Sequence, residues 1–199
     1  DEQAIPVMYQ RLTQVFRKLG VDYEIIFVND CSPDNSAEVI RLISEGDPHV
    51  VGVSHSRNFG SQMAFRSGME ISTKDGVILF DGDLQDPPEI VEAFHEKWNE
   101  GFDVVYGRRI KREMPWYWEI LYKLFYRIFA AFSYIKIPVD AGDFSLIDRR
   151  VVNWLLRFPE RDLFMRGLRA YVGFKQCGVD YIRPERMFGR STNNFLKNI

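Results

Sequence analysis

The chain has 199 residues, which is enough for one substantial domain and too few to require two. Its 26 basic and 28 acidic residues leave a net charge of −2, so the overall charge gives no case for a nucleic-acid partner. The two cysteines match neither a disulfide framework nor a zinc-binding pattern, and a reducing, cytosolic setting is expected. No apolar run reaches the roughly 18 residues that a membrane-spanning helix needs.

Strands and helices alternate through the first half of the chain, after an opening helical pattern at residues 5–19. Short apolar runs predict strands, at residues 23–28, 50–53, 77–80 and 103–106. Helices are predicted between them, at residues 35–43, 61–71 and 89–98. Strands that are apolar along their whole length are typical of a parallel sheet covered on both faces, so an α/β fold is expected. Because no strand precedes the opening helix, we expect that a first strand is missing.

Charged residues gather where the predicted strands end. In a sheet of this type, ligands bind at the carboxyl ends of the strands. The residues at these ends are Asp30, Arg57, Asp81, Asp83 and Arg109. We therefore expect a polar site along one edge of the sheet.

Residues 76–89, with the sequence GVILFDGDLQDPPE, combine a buried strand with an acidic turn. In an extended segment Asp81 and Asp83 point the same way, and Gln85 can add a neutral oxygen. Two neighbouring carboxylates repel each other unless a cation lies between them, so this pattern favours a divalent metal that in turn holds a diphosphate. The alternative is a solvated acidic turn that only begins the next helix.

The second half of the chain is rich in aromatic residues and ends in a basic segment. Residues 116–137 predict an amphipathic helix, which either packs on the sheet, the commoner case, or lies at a membrane surface or in a lipid groove. Asp143 stands beside a glycine at the start of a short apolar strand. Further predicted elements follow it, two helices at residues 149–156 and 163–172 and a strand at 174–181. The basic end at residues 183–197 predicts either a solvated tail or a loop that grips phosphate.

Six stretches of the chain together carry a family resemblance. They are EIIFVNDCSPDNS, SHSRNFGSQMAFRSG, FDGDLQDPPE, VVYGRR, DAGDFSLIDRR and IRPERMFGRSTNNF. In this order they resemble the family 2 glycosyltransferases of GT-A fold, whose sheet is mostly parallel and flanked by helices. The likeness is closest to the membrane-associated branch that moves a sugar from a nucleotide sugar onto a polyprenyl phosphate, as dolichol-phosphate mannose synthases do. A single D-x-D is a weak signal, but six ordered stretches are a specific one.

The resemblance implies a donor site and a metal site. Asp30 would contact the nucleotide base or ribose, and Asp81 would contact the nucleotide and the metal. Asp83 would be the principal ligand of Mg²⁺ or Mn²⁺, and Gln85 would complete the family's D-x-D-x-Q set. Asp143, in the place of the family's Gly-Asp-Phe acid, would lie beside the anomeric carbon or the acceptor, as a general base or as an orienting group.

The resemblance also implies phosphate contacts and an incomplete base pocket. Arg57 would contact the nucleotide sugar. Four more arginines match positions associated with the diphosphate or the acceptor phosphate, namely Arg109, Arg166, Arg183 and Arg186. Glu2 matches the final acid of a Pro-x-Tyr-Asn-Glu motif, in which Asp1 stands where the family has Asn. The strand of that motif normally forms a wall of the base pocket and would precede residue 1.

The implied function is that of a metal-dependent, inverting hexosyltransferase. A UDP- or GDP-hexose would donate its sugar to undecaprenyl or dolichyl phosphate at the cytoplasmic face of the cell membrane, for cell-envelope glycan synthesis. Residues 1–199 would form a single catalytic domain, a fragment of a longer protein, with a nucleotide-sugar half at 1–109 and an acceptor half at 110–199. The chain itself would be soluble and would reach the membrane through a further C-terminal segment.

Three other functions remain open on the sequence. One is a family 2 enzyme with a saccharide acceptor, although the Gln-x-x-Arg-Trp motif of processive synthases does not occur, which favours single transfer. Another is a nucleotide-sugar-binding regulator without turnover. The third is a haloacid-dehalogenase-type phosphotransferase with Asp81 as nucleophile, but its catalytic lysine loop cannot be placed. The donor sugar, the base, the acceptor and the oligomeric state stay open.

Overall fold

The computed structural model describes residues 1–110, 141–160 and 164–184, and helices and strands alternate along them. The helices are α1 (Ala4–Leu19), α2 (Ser36–Gly46), α3 (Ser61–Ile71), α4 (Ile90–Asn99), α5 (Arg149–Leu155) and α6 (Met165–Tyr171). The strands are β1 (Ile25–Asn29), β2 (Val50–Ser54), β3 (Gly76–Leu79), β4 (Val104–Arg109), β5 (Ala141–Asp148) and β6 (Gln176–Tyr181). The predicted helix at residues 116–137 and the basic tail beyond residue 184 lie outside the described residues.

The first helix shows how local sequence sets the element boundaries. Its buried residues recur every three or four positions and form one face, at Ile5, Met8, Leu12 and Val15. The helix ends at Gly20, whose left-handed backbone (φ +63°) lets its N–H donate to the C=O of Arg17. No helix in the described part of the chain is long and apolar enough to cross a membrane.

The strands form two sheets among the described residues. β1 and β2 pair in parallel, and the larger sheet has the order β3–β5–β4–β6. In the larger sheet β3, β4 and β6 run in one direction, whereas β5 is antiparallel to both of its neighbours. The expected α/β architecture with mostly parallel strands is confirmed, with β5 as the reversed strand. Because β5 is reversed, it begins at the edge of the sheet where β3 and β4 end.

Aromatic packing fixes the start of β5. Phe144 is 2% exposed, and its ring lies 4.7 Å from that of Phe94 on α4 and 4.8 Å from that of Phe80 after β3. Burial of one such ring stabilises a fold by roughly 1.5–3 kcal/mol. The preceding residue, Asp143, is therefore held at a defined place on the sheet edge.

An apolar cavity of about 540 Å³ lies between the two sheets, and both β1 and β3 line it. Among the described residues β1 pairs only with β2, and β3 pairs only with β5. A strand between them would give each a second hydrogen-bonded neighbour. The first strand expected ahead of residue 1 stays a prediction, as does the division of the domain at residue 109.

Candidate active site

The loop after β3 carries the two predicted metal-binding carboxylates, and a buried leucine fixes its shape. Leu84 has a left-handed backbone (φ +59°), which costs a non-glycine residue roughly 1 kcal/mol or more. Its side chain is buried in one core cluster with Met8 and Leu12 of α1. Burial of a leucine, worth roughly 1.5–3 kcal/mol, offsets this strain. The turn leaves Asp83 and Gln85 on either side of an anchored residue.

Negative charge accumulates around Asp81. Burial raises the pKa of Asp81 to about 6, and three neighbouring carboxylates contribute, those of Asp86, Asp83 and Asp143. Arg183 acts in the opposite direction. The β3 loop and the start of β5 therefore form one electrostatic unit, in which a bound cation would relieve the repulsion.

The segment after β6 packs back onto the β3 loop. Arg183 Nη2 lies 3.6 Å from Asp83 Oδ2, and the backbone N–H of Gln85 donates to Asp83 Oδ1 at 3.1 Å. The Gln85 side chain donates through Nε2 to the C=O of Pro184 at 3.4 Å. Asp83, Gln85 and Arg183 are thus brought together, and their predicted roles at a metal and a phosphate stay predictions.

A buried acid at the base of this loop was not identified from the sequence. Asp86 is 1% exposed, and Tyr181 on β6 donates its O–H to Asp86 Oδ1 at 2.5 Å. Arg109 Nε donates to the Tyr181 oxygen at 3.1 Å, and Arg183 Nε lies 3.9 Å from Asp86 Oδ1. Burial raises the pKa of Asp86, and burial together with the bond to Asp86 raises the pKa of Tyr181 to about 12. The sequence offers one signal, an acid directly before the two prolines that start α4.

Asp143 reaches the same edge because it lies at the start of β5, between the ends of β3 and β4. Its Oδ2 accepts a hydrogen bond from Gln62 Nε2 at 3.1 Å, and its Oδ1 lies 3.5 Å from Arg166 Nε. A Cβ on Gly142 would lie 3.3 Å from Arg109 Nη2, so the glycine leaves room for that arginine beside β5. The predicted catalytic acid and two predicted phosphate-binding arginines therefore meet.

A buried arginine holds the backbone on which Asp143 stands. Arg169 of α6 is 1% exposed and donates to the C=O of Gly142 at 3.0 Å and to Ser145 Oγ at 2.6 Å. Ser145 Oγ in turn donates to the C=O of Asp143 at 2.8 Å. Burial lowers the pKa of Arg169 to about 10, while the charge of Asp143 acts to raise it, so the side chain stays cationic at neutral pH.

Asp30 organises the loop that follows β2. The backbone N–H groups of Phe59 and Gly60 donate to its two carboxylate oxygens at 2.8 and 2.7 Å, and its Oδ1 lies 2.7 Å from His55 Nδ1. His55 Nε2 lies 2.9 Å from Ser67 Oγ on α3. Burial acts to raise the pKa of Asp30, but these hydrogen bonds outweigh it and lower the pKa. Asp30 therefore ties the end of β1 to the start of α3.

The remaining predicted donor residues lie at the same ends of β1 and β2. The Arg57 guanidinium carbon lies 4.1 Å from the centre of the Phe59 ring, a cation–π contact. Glu2 accepts from the N–H of Asn35 at 2.9 Å, and its own N–H donates to Asp34 Oδ2 at 3.0 Å. Arg186 lies outside the described residues. The nucleotide roles predicted for these residues stay predictions.

The carboxylates of the β3 loop fit a divalent cation. Among residues 1–110, 141–160 and 164–184, no group of three or more His, Cys, Asp or Glu side chains is arranged to hold a metal by itself. Mg²⁺ is usually held by one or two carboxylates together with substrate phosphates, so Asp81 and Asp83 supply a sufficient set. Burial, and then the charge of neighbouring carboxylates, raises the pKa of Asp81, and such an ion would neutralise that charge. The ligand roles of Asp81, Asp83 and Gln85 stay predictions.

Sequence comparison gives one family for most of the chain. The profile described as Glycosyl transferase family 2 matches residues 3–155. The uncharacterized glycosyltransferase YkcC of Bacillus subtilis is 42% identical over 96% of this chain and 59% of its own length. The bactoprenol glucosyl transferase of Shigella phage SfX is 37% identical over 99% of this chain and 65% of its own length. The chain thus spans less than two thirds of the length of these relatives.

Structure comparison agrees with this family. The mannosyltransferase PcManGT of Pyrobaculum calidifontis, solved in complex with GDP-Man and Mn²⁺, superimposes with a TM-score of 0.56. The match covers 92% of this chain and 55% of that one, at 19% sequence identity, so it concerns the fold alone. The GT-A fold expected from the sequence is confirmed.

Proposed function

The chain belongs to glycosyl transferase family 2, and on this basis we propose that it moves a hexose from a nucleotide diphosphate sugar to a polyprenyl phosphate, with inversion at the anomeric carbon. The proposal rests on one observation, the meeting of carboxylates and arginines at one edge of the larger sheet. Carboxylates suit a metal-bound diphosphate, and arginines suit the phosphates of donor and acceptor. The bactoprenol glucosyl transferases among the relatives favour a lipid phosphate over a saccharide acceptor.

We assign the donor to the loops that follow β1, β2 and β3. The nucleotide lies along the residues that Asp30 holds together, with Glu2 and Arg57 on the same side. Asp81 and Asp83, with Gln85, would hold Mg²⁺ or Mn²⁺, and such an ion would supply positive charge to offset the charge on a departing diphosphate. Arg183 lies 3.6 Å from Asp83 and Arg109 lies 4.0 Å from Asp86, so both add fixed positive charge at this loop. An arginine fork suits bidentate contacts to phosphate oxygens.

The acceptor reacts at the start of β5. A phosphate oxygen of the acceptor forms a bond to the anomeric carbon while the bond from that carbon to the diphosphate oxygen breaks. The nucleoside diphosphate leaves with the bonding electron pair, so one negative charge passes from acceptor to leaving group. Because a phosphate is already ionised near neutral pH, no proton has to be removed from it. Asp143 therefore acts by orienting Arg166, which it faces at 3.5 Å, towards the attacking oxygen.

We place the reaction at the cytoplasmic face of the cell membrane, where a lipid phosphate meets a water-soluble donor. The transfer of one hexose to such a lipid suits the synthesis of cell-envelope glycans. The nucleotide half at residues 1–109 and the acceptor half at 110–199 would form one catalytic domain. Membrane contact is part of this proposal, and the bactoprenol glucosyl transferases among the relatives favour it.

A transfer assay tests the proposal. The protein is incubated with Mn²⁺, radiolabelled UDP- or GDP-hexose and a short polyprenyl phosphate, and the organic phase is analysed for labelled lipid. We expect label in the lipid, and we expect chelation of the metal to abolish it. Label in a saccharide acceptor instead would support the alternative acceptor. Nucleotide-sugar binding without transfer to either acceptor would contradict the enzyme and support a binding protein.

A further inference from the structure

We propose that Gln62 is a positioning residue that fixes the carboxylate of Asp143 for transfer, an inference that rests on the proposed function. Gln62 lies in the first turn of α3 and uses both ends of its side-chain amide. Its Nε2 donates to Asp143 Oδ2 at 3.1 Å, and its Oε1 accepts from the backbone N–H of Met165 at 2.8 Å. A neutral amide can donate and accept at once, which a carboxylate cannot do. One side chain therefore joins α3, β5 and α6.

The contact decides which oxygen of Asp143 faces Arg166. With Oδ2 held by Gln62, Oδ1 is buried, accepts no hydrogen bond from the described residues and lies 3.5 Å from Arg166 Nε. That separation is longer than a charge-assisted hydrogen bond, which is roughly 2.7–2.9 Å. A carboxylate released from Gln62 is free to rotate into a shorter pair with Arg166. Both groups would then be turned away from the acceptor phosphate.

The same turn of α3 is tied to the donor side. Gly60, directly before α3, donates its N–H to Asp30 Oδ2 at 2.7 Å. Gln62 is two residues further along and contacts Asp143. Residues 60–62 thus set the spacing between the loop assigned to the nucleotide and the acid assigned to the acceptor. A misplacement of about 1 Å between reacting groups costs up to roughly 100-fold in rate, so this spacing matters for transfer.

Two substitutions separate the two hydrogen bonds of Gln62. Gln62→Glu keeps an acceptor for the Met165 N–H but places a carboxylate against Asp143 Oδ2, whereas Gln62→Leu removes both bonds. The new carboxylate should lower the melting temperature through its repulsion of Asp143, whereas Gln62→Leu adds no charge, so a loss of kcat shared by both variants does not depend on that repulsion. The matched control is Gln14→Glu, at an exposed position of α1.

The test compares kcat and the nucleotide-sugar KM of these variants in the transfer assay. We expect both Gln62 variants to lose roughly 10- to 100-fold in kcat, with nucleotide KM within about twofold of wild type. The control should match the wild type. If Gln62→Glu keeps the wild-type kcat, or loses only nucleotide affinity, the inference is wrong. The hydrogen bond from Gln62 to Met165 of α6 would then be its only relevant contact. Absence of transfer by the wild type would overturn the proposed function and the inference together.

Discussion

Removal of the Tyr181 hydroxyl, which bonds to the buried Asp86, should lower the stability of the folded protein. Tyr181→Phe deletes the O–H that donates to Asp86 Oδ1 at 2.5 Å and accepts from Arg109 Nε at 3.1 Å. The second oxygen of Asp86 is buried and accepts no hydrogen bond from the described residues. The variant therefore leaves a buried carboxylate with only the longer contacts to Arg109 and Arg183, at 4.0 and 3.9 Å.

The expected cost follows from this single bond. A hydrogen bond to a charged group contributes roughly 1.5–3 kcal/mol. The aromatic ring stays in place, packed edge-on against Phe144 at 5.6 Å, so no cavity is added. For a domain of this size each kcal/mol changes the melting temperature by roughly 2–4 °C, which predicts a decrease of about 3–12 °C for Tyr181→Phe.

Thermal unfolding followed by circular dichroism measures this decrease. Tyr171→Phe is the matched control, because Tyr171 on α6 is 62% exposed and its hydroxyl can bond to solvent. If the bond to Asp86 is the cause, Tyr181→Phe should cost much less in an Asp86→Asn background. Equal melting temperatures for Tyr181→Phe and Tyr171→Phe would refute the reasoning.

Further variants separate folding from binding and transfer. In metal-free protein, Asp81→Asn should raise the melting temperature at about pH 7.5 and lose this gain at about pH 4. The reason is that the pKa of Asp81 in the folded state is about 6, above the ordinary 3.8, so ionisation of this carboxyl destabilises the folded state at the higher pH. At about pH 4 the carboxyl is protonated in the folded protein and this cost is largely gone. Gly82→Ala should keep the wild-type melting temperature, since its Cβ would meet no atom of the described residues within 4 Å. It should weaken nucleotide binding in the space that we assign to the donor. Asp83→Asn should weaken metal-dependent nucleotide binding in calorimetry with Mn²⁺, whereas Asp143→Asn should spare that binding and abolish transfer.

Each of these expectations has a contrary result. An Asp81→Asn variant that melts with the wild type at both pH values would show that the carboxylate is not under strain. A lower melting temperature for Gly82→Ala would point to a folding role instead of a binding role. Unchanged nucleotide affinity in Asp83→Asn would contradict its place in the metal site, and wild-type transfer by Asp143→Asn would remove it from the reaction.

The order and type of the elements could be predicted because they depend on local patterns. The helix predicted at residues 61–71 coincides with α3, and the strand predicted at 77–80 overlaps β3. The direction of β5 could not be predicted, since an apolar run reads the same for a parallel and an antiparallel strand. That direction nevertheless decides the site, because it brings Asp143 to the ends of β3 and β4.

The site residues also divide into those that local sequence predicts and those that it does not. Asp81 and Asp83 stand out because a turn after an apolar strand already places two acids together. Asp86 does not, because its partner Tyr181 is 95 positions away in the sequence. Arg169 lies in a short helix, Met165–Tyr171, that contains no acid to mark it as a buried cation. Residues that support a site without lining it are identified only by their long-range contacts, and periodicity and motif spacing do not reveal such contacts.

The edge of the larger sheet collects features that cost folding free energy. Leu84 adopts a left-handed backbone, Asp81 is ionised against the cost of burial and the repulsion of its neighbours, and Arg169 is a buried cation. Core packing accounts for the shape of the loop, but packing has no need for unlike charges at this depth. A cation next to Asp81 would relieve the repulsion among the carboxylates, and phosphates would find partners in Arg109, Arg166 and Arg183, whereas Arg169 is buried and holds the backbone of Gly142. We therefore propose that the carboxylates and these arginines are halves of one site, in which a metal-bound diphosphate would leave on one side while an anionic acceptor arrives on the other.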